Sequence, residues 1–222
     1  MKNQYDAYLF DLDGTLVDSA PDIGAALNHS LQQASLPVVS LDLIRHWIGH
    51  GSRTLVHQAL LHQQMQPKDQ LIDKLLRPFL SYYGEHIADH SQLYPNTMAT
   101  LLELKQRGAR LAIVTNKLTE LSMPLLNALD LEANFDLIVC GDTTPNPKPA
   151  PDPIQHVLDF FKVAPEQALM IGDSDADIGA ARAARIDVVC MRDGYNHGVD
   201  VATLNPNKVI AVSYTHLRAH ET

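Results

Sequence analysis

The chain has 222 residues, of which 45% are hydrophobic and 19% are charged, so it has enough apolar content for a sizeable core. Its 17 lysine and arginine residues stand against 26 aspartate and glutamate residues, which leaves a formal net charge of −9. This acidity argues against nucleic acid or an anionic membrane surface as a partner, because both require a basic patch. Two cysteines, Cys140 and Cys190, are too few for a disulfide framework or a cysteine-rich zinc site.

The sequence carries no signal for a membrane or for secretion. No apolar run approaches the roughly 18 residues that a membrane-spanning helix requires. Residues 1–6 lack the apolar stretch of a signal peptide. We therefore expect a cytoplasmic location.

Short apolar runs predict the strands of a parallel sheet. The runs cover residues 8–10, 110–115, 137–140, 168–171, 187–191 and 208–211. Helical patterns separate them, at residues 96–107, 119–129, 153–161 and 175–184. Nearly continuous apolar strands that alternate with helices are typical of a doubly wound α/β fold, in which helices cover both faces of the sheet.

One long stretch interrupts this alternation. Between residues 17 and 91 the pattern predicts no strand but four amphipathic helices, at residues 21–34, 41–47, 53–64 and 70–90. We expect this helical insert (residues 17–91) to form a separate unit between two linkers, near residues 17–19 and 91–95. The α/β core then comprises residues 1–16 and 92–211. Residues 212–222, VSYTHLRAHET, have no helical or strand period and look like translated adapter DNA, so we expect them to be a non-native tail.

Polar side chains follow the ends of the predicted strands, where ligands bind in an open α/β sheet. They are Asp11, Asp13, Thr115, Asn116, Lys148, Asp173, Ser174, Asp175 and Asp177. Helix caps and turns account for any single residue of this kind. Four carboxylates and one lysine at the same edge, however, would repel one another unless a cation and an anionic ligand lay among them.

These residue types suit phosphoryl transfer with an aspartate nucleophile. A carboxylate can attack phosphorus and form an aspartyl-phosphate. Mg²⁺ bound by carboxylate oxygens removes the repulsion between nucleophile and phosphate, and donors such as Thr115 and Lys148 neutralise the remaining phosphate oxygens. Residues i and i+2 of an extended segment face the same way, so a carboxylate two positions after the nucleophile can act as general acid and base.

Four ordered motifs carry a resemblance to a known superfamily. They are DLDGTLVDS (11–19), VTN (114–116), KPAPD (148–152) and GDSDAD (172–177). Together they resemble the motifs of the haloacid dehalogenase superfamily, over essentially residues 5–206. The helical insert resembles that superfamily's C1-type cap. WIGHG (47–51), LYP (93–95) and DGYNHG (193–198) are most similar to the bacterial phosphoglycolate phosphatase family.

The resemblance implies a role for each catalytic residue. Asp11 is the nucleophile and a metal ligand, and Asp13 is the general acid and base, with its backbone carbonyl on the metal. Thr115 binds the transferring phosphoryl group with help from Asn116, and Lys148 neutralises the nucleophile and the phosphate.

The resemblance also implies the rest of a Mg²⁺ site. Asp173 is a metal ligand, and Asp177 supports the metal's waters or Lys148. Asp175 has no role in the family pattern, so we expect it to be a solvated residue in the first turn of a helix. We assign no chemistry to Asp18.

The insert loop of Gly51, Ser52 and Arg53 is the candidate for substrate recognition. Glycines permit a close approach, and Ser52 or Arg53 could meet a substrate carboxylate. Our hypothesis is that Arg53 binds the carboxylate of 2-phosphoglycolate, the alternative being a solvated arginine at a helix start. The pair His86 and His90, four residues apart, lacks the glutamate of a zinc protease and is interpreted as solvated.

His46 and His50, like His86 and His90, are interpreted as solvated, unless they line the opening of the insert.

The resemblance implies a Mg²⁺-dependent phosphomonoesterase that converts 2-phosphoglycolate to glycolate and phosphate. A dehalogenase would lack the acid at Asp13, and a phosphonatase would need an insert lysine for a Schiff base. The expected partner is a small phosphorylated metabolite, with no nucleic acid and no membrane, and the expected state is a monomer or a small homo-oligomer.

Several alternatives stay open at this level. They are a phosphatase for a sugar phosphate, a nucleotide or pyrophosphate, a phosphomutase, and a non-catalytic module that binds a regulatory phosphate.

Overall fold

A six-stranded parallel sheet organises the chain, of which the computed structural model describes residues 5–210. Its strands are β1 (Ala7–Phe10), β4 (Arg110–Val114), β5 (Leu137–Val139), β6 (Ala168–Gly172), β7 (Asp187–Met191) and β8 (Lys208–Ile210). They lie in the order β5-β4-β1-β6-β7-β8, and every adjacent pair is parallel. The chain first runs outward from β1 to β5 and then returns to the other side of β1. This reversal of direction beside β1 is where such a sheet opens a crevice for ligands.

Helices cover both faces of the sheet. They are α5 (Thr97–Gln106), α6 (Thr119–Ala128), α7 (Asp152–Phe161) and α8 (Asp175–Ala184). Tyr8 and Phe10 of β1 pack with residues of α5 and α6, whereas Ala7 and Leu9 pack with residues of α7 and α8. All four residues of β1 are buried, because side chains of a strand alternate between two faces and both faces are covered. The predicted doubly wound α/β fold is confirmed.

The helical insert contains four helices whose buried side chains pack together, with Leu121 and Tyr195 of the α/β part joining them. The helices are α1 (Ala20–Gln33), α2 (Leu41–Arg45), α3 (Ser52–His62) and α4 (Asp69–Glu85). Their buried side chains include Leu27, Ile44, Leu60 and Phe79. The helix α4 ends at Glu85 rather than at residue 90, because the chain turns there toward the sheet.

The division into insert and core stays a prediction, and the expected tail of residues 212–222 lies outside the described residues. Among residues 5–210 no helix combines the length and apolarity needed to cross a membrane.

The two linkers pair with each other. The strands β2 (Val17–Asp18) and β3 (Gln92–Leu93) form a two-stranded antiparallel ladder. The sequence pattern predicted no strand in this stretch, because two residues are too few to show a period of two. Pairing of the outgoing and returning chain holds the insert over the carboxyl ends of the parallel strands.

Candidate active site

Three central strands deliver polar side chains to the same edge of the sheet. Asp11 follows β1, Thr115 follows β4 and Asp173 follows β6. The strands are adjacent and parallel, so their carboxyl ends coincide and these side chains converge. The loop after β5 adds Lys148, which precedes a cis peptide bond to Pro149.

Lys148 lies between two buried carboxylates. Its Nζ is 2.9 Å from Asp11 Oδ1 and 2.6 Å from Asp177 Oδ1. Burial alone would lower the pKa of Lys148, but the charges of Asp11 and Asp177 outweigh it and raise the pKa, so the ammonium stays charged. Burial also raises the pKa of Asp11 to about 7, against the lowering effect of Lys148. One cation therefore does not neutralise this cluster fully.

Asp11, Asp173 and Asp177 form a donor set that fits a divalent cation. One carboxylate oxygen of each residue lies within 4.8 Å of those of the other two. Burial, reinforced by the charges of Asp11 and Asp177, raises the pKa of Asp173 well above its ordinary value, as expected for carboxylates that share one buried site. An all-oxygen donor set of this kind is the one that Mg²⁺ prefers. The residues present thus fit the metal that the sequence predicts.

Hydrogen bonds from a side chain and from backbone amides orient these carboxylates. Thr15 Oγ1 donates a hydrogen bond of 2.9 Å to Asp173 Oδ1, and the Tyr195 amide donates to the other oxygen. Asp177 Oδ2 accepts from the backbone amides of Asp173 and Ser174, each at 3.1 Å, so the start of α8 caps itself. Gly14 has a φ of +86°, and a Cβ there would lie 2.1 Å from Asp173 Oδ2. Only glycine therefore fits between the first motif and this carboxylate.

The Asp13 carboxylate is not part of this donor set and is held by groups from two other elements. Lys117 Nζ lies 3.1 Å and 3.2 Å from its two carboxylate oxygens, and Ser19 Oγ donates to it at 2.5 Å. Lys117 also donates to the Tyr83 hydroxyl at 2.6 Å. Sequence reasoning missed Lys117, Ser19 and Tyr83. The available signal was the position of Lys117 directly after the VTN motif, at a strand end.

A cleft opens above these residues. The sheet edge contributes Asp11, Asp13, Thr115, Asn116 and Lys117 to its lining. The helical insert contributes a mainly apolar wall of Ile23, Ile48, Gly49, Gly51, Ser52, Leu55, Phe79 and Tyr83. The cleft thus has charged residues on the side of the sheet and mainly apolar residues on the side of the insert. This lining suits a small ligand with one anionic end.

Asn116 connects the sheet edge with the insert on the other side of the cleft. Its Nδ2 donates to the Gly49 carbonyl at 3.2 Å and to the Lys148 carbonyl at 2.9 Å. Its Oδ1 is buried and has no hydrogen-bond partner among residues 5–210. The Thr115 hydroxyl accepts from the Lys117 amide at 3.1 Å, which leaves the Thr115 hydroxyl hydrogen available to the cleft.

The structure brings Gly51 and Ser52 to the cleft but not Arg53. The Arg53 guanidinium donates to Asp73 at 2.6 Å and to Asp69 at 2.7 Å, and its side chain is 49% exposed. Successive residues of a helix point about 100° apart, since one turn takes 3.6 residues, so Arg53 faces α4 while Ser52 faces the cleft. The expected contact of Arg53 with a substrate carboxylate therefore has no support in this geometry.

A second set of polar contacts joins the insert to the loop after β7. Arg45 binds both carboxylate oxygens of Asp18, at 2.9 Å and 3.0 Å, and the Tyr195 hydroxyl donates to the same carboxylate at 2.5 Å. Burial would raise the pKa of Asp18, but the hydrogen bonds from Arg45 and Tyr195 hold it below its ordinary value. Asp18, to which the sequence assigns no chemistry, links the insert to the loop after β7 through these hydrogen bonds.

The chain is similar to known proteins over most of its length. The family model of haloacid dehalogenase-like hydrolases matches residues 8–191. A phosphoglycolate phosphatase from Nitrosococcus oceani is 40% identical over 211 residues, which cover 95% of this chain and 94% of the relative. One from Colwellia psychrerythraea is 41% identical over 201 residues, 89% of each chain.

A solved structure agrees with these sequence matches. The crystal structure of a predicted phosphoglycolate phosphatase from Haemophilus somnus superposes with a TM-score of 0.89 at 34% identity, covering 99% of both chains. The motifs, the fold and these similarities agree: the chain belongs to the haloacid dehalogenase-like hydrolases.

Proposed function

We propose that this protein is a Mg²⁺-dependent phosphomonoesterase that hydrolyses 2-phosphoglycolate to glycolate and phosphate. The observation that carries the proposal is the pairing of buried Asp11 with Lys148 at 2.9 Å, at the floor of a cleft that Asp13 also lines. Relatives that are 40% and 41% identical bear the name phosphoglycolate phosphatase, which supports the choice of substrate.

The first half of the reaction uses both aspartates. An Asp11 carboxylate oxygen attacks phosphorus and forms an aspartyl-phosphate, while Asp13 gives a proton to the departing glycolate oxygen. The Lys148 ammonium and the Thr115 hydroxyl donate hydrogen bonds to the phosphoryl oxygens and stabilise their developing charge. In the second half, Asp13 takes a proton from water as the water attacks phosphorus, and this step releases phosphate and restores Asp11.

Asp11, Asp173 and Asp177 would hold the Mg²⁺ with their carboxylates, and the Asp13 backbone carbonyl would be a further ligand. When bound, the metal offsets the repulsion between the Asp11 carboxylate and the phosphate dianion. Lys148 orients the Asp11 carboxylate through their ion pair, and Asp177 orients the Lys148 ammonium in the same way.

The substrate carboxylate has a candidate site at the start of α3. Gly51 and Ser52 line the cleft there, and the first amides of a helix lack intrahelical partners. The positive end of the helix dipole favours an anion at that position. Gly51 and Ser52 thus replace Arg53 as the proposed binding site for the substrate carboxylate.

A cytoplasmic location and a monomeric or small homo-oligomeric state stay predictions.

Phosphate release from a substrate panel tests the proposal. The panel contains 2-phosphoglycolate, sugar phosphates, nucleotides and pyrophosphate, each with Mg²⁺ and with EDTA. We expect the highest kcat/KM for 2-phosphoglycolate, and no release in EDTA. A higher kcat/KM for another compound of the panel would change the assigned substrate and leave the proposed mechanism in place.

The nucleophile is tested separately. Asp11→Asn removes the attacking charge and should lower kcat by at least about 10⁴-fold. Asp6→Asn, an exposed position at the opposite end of the same strand, is the control and should retain activity. Substantial turnover by Asp11→Asn would contradict the covalent mechanism.

A further inference from the structure

A second group of metal-type side chains lies outside the cleft, at the junction of three segments. His50 belongs to the loop between α2 and α3, Asp175 is the first residue of α8, and His197 belongs to the loop after β7. The two imidazole rings stack with their centroids 4.4 Å apart and their planes 20° apart, so the partly exposed His50 ring must turn about its Cβ–Cγ bond before both Nε2 lone pairs point at one ion. Asp175 and His197 both belong to the α/β core, and packing of the insert on that core brings His50 to them.

Hydrogen bonds do not account for this arrangement. His50 Nε2 lies 3.4 Å from Asp175 Oδ1, and His197 Nε2 lies 3.9 Å from the same oxygen. Both distances exceed the 2.7–3.2 Å that is typical of a hydrogen bond from nitrogen to oxygen. Two ligands of one tetrahedral ion, each about 2.1 Å from it, lie about 3.4 Å apart. One ligand atom of each residue lies within 4.8 Å of those of the other two, a spacing closer to that of a metal site.

The environment of His197 gives independent support. Its Nδ1 lies 2.8 Å from the His46 carbonyl oxygen, which can only accept, so Nδ1 carries the hydrogen. Its Nε2 is buried and finds no hydrogen-bond partner in the part of the chain that the structure describes. A ring that donates from one nitrogen to a backbone carbonyl and presents the other without a partner has the orientation of a metal-bound histidine.

The geometry points to a transition-metal site formed by His50 Nε2, Asp175 Oδ1 and His197 Nε2. Two imidazoles and one carboxylate suit Zn²⁺ or a related divalent ion, whereas Mg²⁺ prefers an all-oxygen set such as Asp11, Asp173 and Asp177. The side chains of Asp175 and His50 are 57% and 34% exposed, so an ion can enter from solvent and water can fill its remaining positions. This site is separate from the catalytic cluster in both ligands and ion class.

Binding at this site would fasten one wall of the cleft to the core. His50 stands between Gly49 and Gly51, which both line the cleft, while Asp175 and His197 belong to the core. Gly49 already approaches closely, since a Cβ there would lie 3.2 Å from His197 Nε2. The ion would therefore tie the insert loop to α8 and to the loop after β7.

Zn²⁺ binding to the full chain, measured by calorimetry in excess Mg²⁺, tests the site. The Mg²⁺ occupies the carboxylate cluster, so that Zn²⁺ reports on the histidine site. We expect one Zn²⁺ per chain, and an affinity at least about tenfold weaker in His50→Ala and in Asp175→Asn. Equal affinity in these variants and the parent, or Zn²⁺ binding that Mg²⁺ abolishes, would overturn the proposal.

A matched control guards against binding to other histidines, of which the chain has 11. His86 pairs with Asp89 at 2.7 Å and forms a two-residue alternative, so His86→Ala should bind Zn²⁺ as the parent does. Both His50 and Asp175 are at least one-third exposed, and circular dichroism without metal would verify that their variants fold. The visible spectrum of bound Co²⁺ provides a second readout, because imidazole ligands intensify its bands. Loss of these bands in His50→Ala would support the site, and their persistence would overturn it.

Discussion

Lys117 Nζ lies 3.1 Å from Asp13 Oδ1, and the pair joins the end of β4 to the loop after β1 inside the cleft. The side chain of Lys117 is 5% exposed and that of Asp13 is 12% exposed, so solvent screens their attraction little. The ammonium holds the proposed acid and base in one orientation, and the Tyr83 hydroxyl, 2.6 Å away, links the ammonium to the helical insert. We therefore predict that Lys117 positions Asp13.

Removal of this ammonium should slow turnover. Lys117→Met leaves Asp13 without its cation, and we expect kcat to fall about 10- to 100-fold, a part of what general acid–base catalysis contributes. The KM should change less than kcat, because Lys117 acts through Asp13. Lys105→Met is the control, since Lys105 lies outside the cleft and donates to the Ala133 carbonyl. An unchanged kcat in Lys117→Met, or a loss confined to KM, would contradict the positioning role.

Substitutions in the insert loop should separate Ser52 from Arg53. Ser52→Ala removes a hydroxyl that lines the cleft, and we expect KM for 2-phosphoglycolate to rise several-fold. Arg53→Ala should leave KM within about twofold of the parent, because its guanidinium is occupied by Asp69 and Asp73 at the surface. Steady-state kinetics of both variants test the pair. A large rise in KM for Arg53→Ala would restore the original hypothesis about the substrate carboxylate.

Asp22 should contribute strongly to stability. Its buried carboxylate accepts from the backbone amides of His90 and Ser91 and from the Ser91 hydroxyl, at 2.6 to 3.1 Å. These contacts tie the start of α1 to the returning linker. Asp22→Ala leaves the donors unpaired, so we expect the free energy of unfolding to fall by about 2–3 kcal/mol. Chemical denaturation measures the loss.

Two comparisons make that stability prediction specific. Ser91→Ala removes one donor and should cost about 1 kcal/mol. Asp42→Ala alters an exposed carboxylate of α2 and should change stability by no more than about 0.5 kcal/mol. If Asp22→Ala is no worse than Asp42→Ala, the linker contact is unimportant.

Asp18 should make stability depend on acid pH. Its pKa in the folded protein is below the ordinary value of 3.8, because the bonds from Arg45 and Tyr195 outweigh burial. A lowered carboxylate pKa stabilises the fold fully above the unfolded value and less as the pH falls through the folded value. Asp18→Asn should therefore destabilise by about 1 kcal/mol at most at pH 6, and by less at pH 3. Denaturation at both values tests the sign, and an equal loss at both would refute it.

Local patterns predicted the elements of the fold well. The helix α8 (Asp175–Ala184) and the strand β7 (Asp187–Met191) have the predicted bounds. The start of α8 depends on a local contact, the cap that Ser174 and Asp177 form, and β7 is marked by its own continuous apolar run. Longer segments were less accurate, since α4 ends five residues before the predicted end, where packing rather than helical period decides.

The order of the motifs along the chain was enough to place Asp11, Thr115, Lys148 and Asp173 at one edge of the sheet. The reason is general, because parallel strands with right-handed crossovers align their carboxyl ends whatever the details of the side chains. The charge pattern itself then indicated a cation, since several carboxylates cannot share one edge without one.

Only the tertiary structure decided which side chains meet across the insert and the core. Lys117 meets Asp13 and Tyr83, and Arg53 turns away from the cleft while its neighbour Ser52 faces it. These contacts depend on the angle at which the four helices of the insert pack over the edge of the sheet. The hydrophobic periodicity of the sequence does not determine that angle. Sequence by itself determined the chemistry that is available at the strand ends. Packing of distant segments determined which residues position that chemistry.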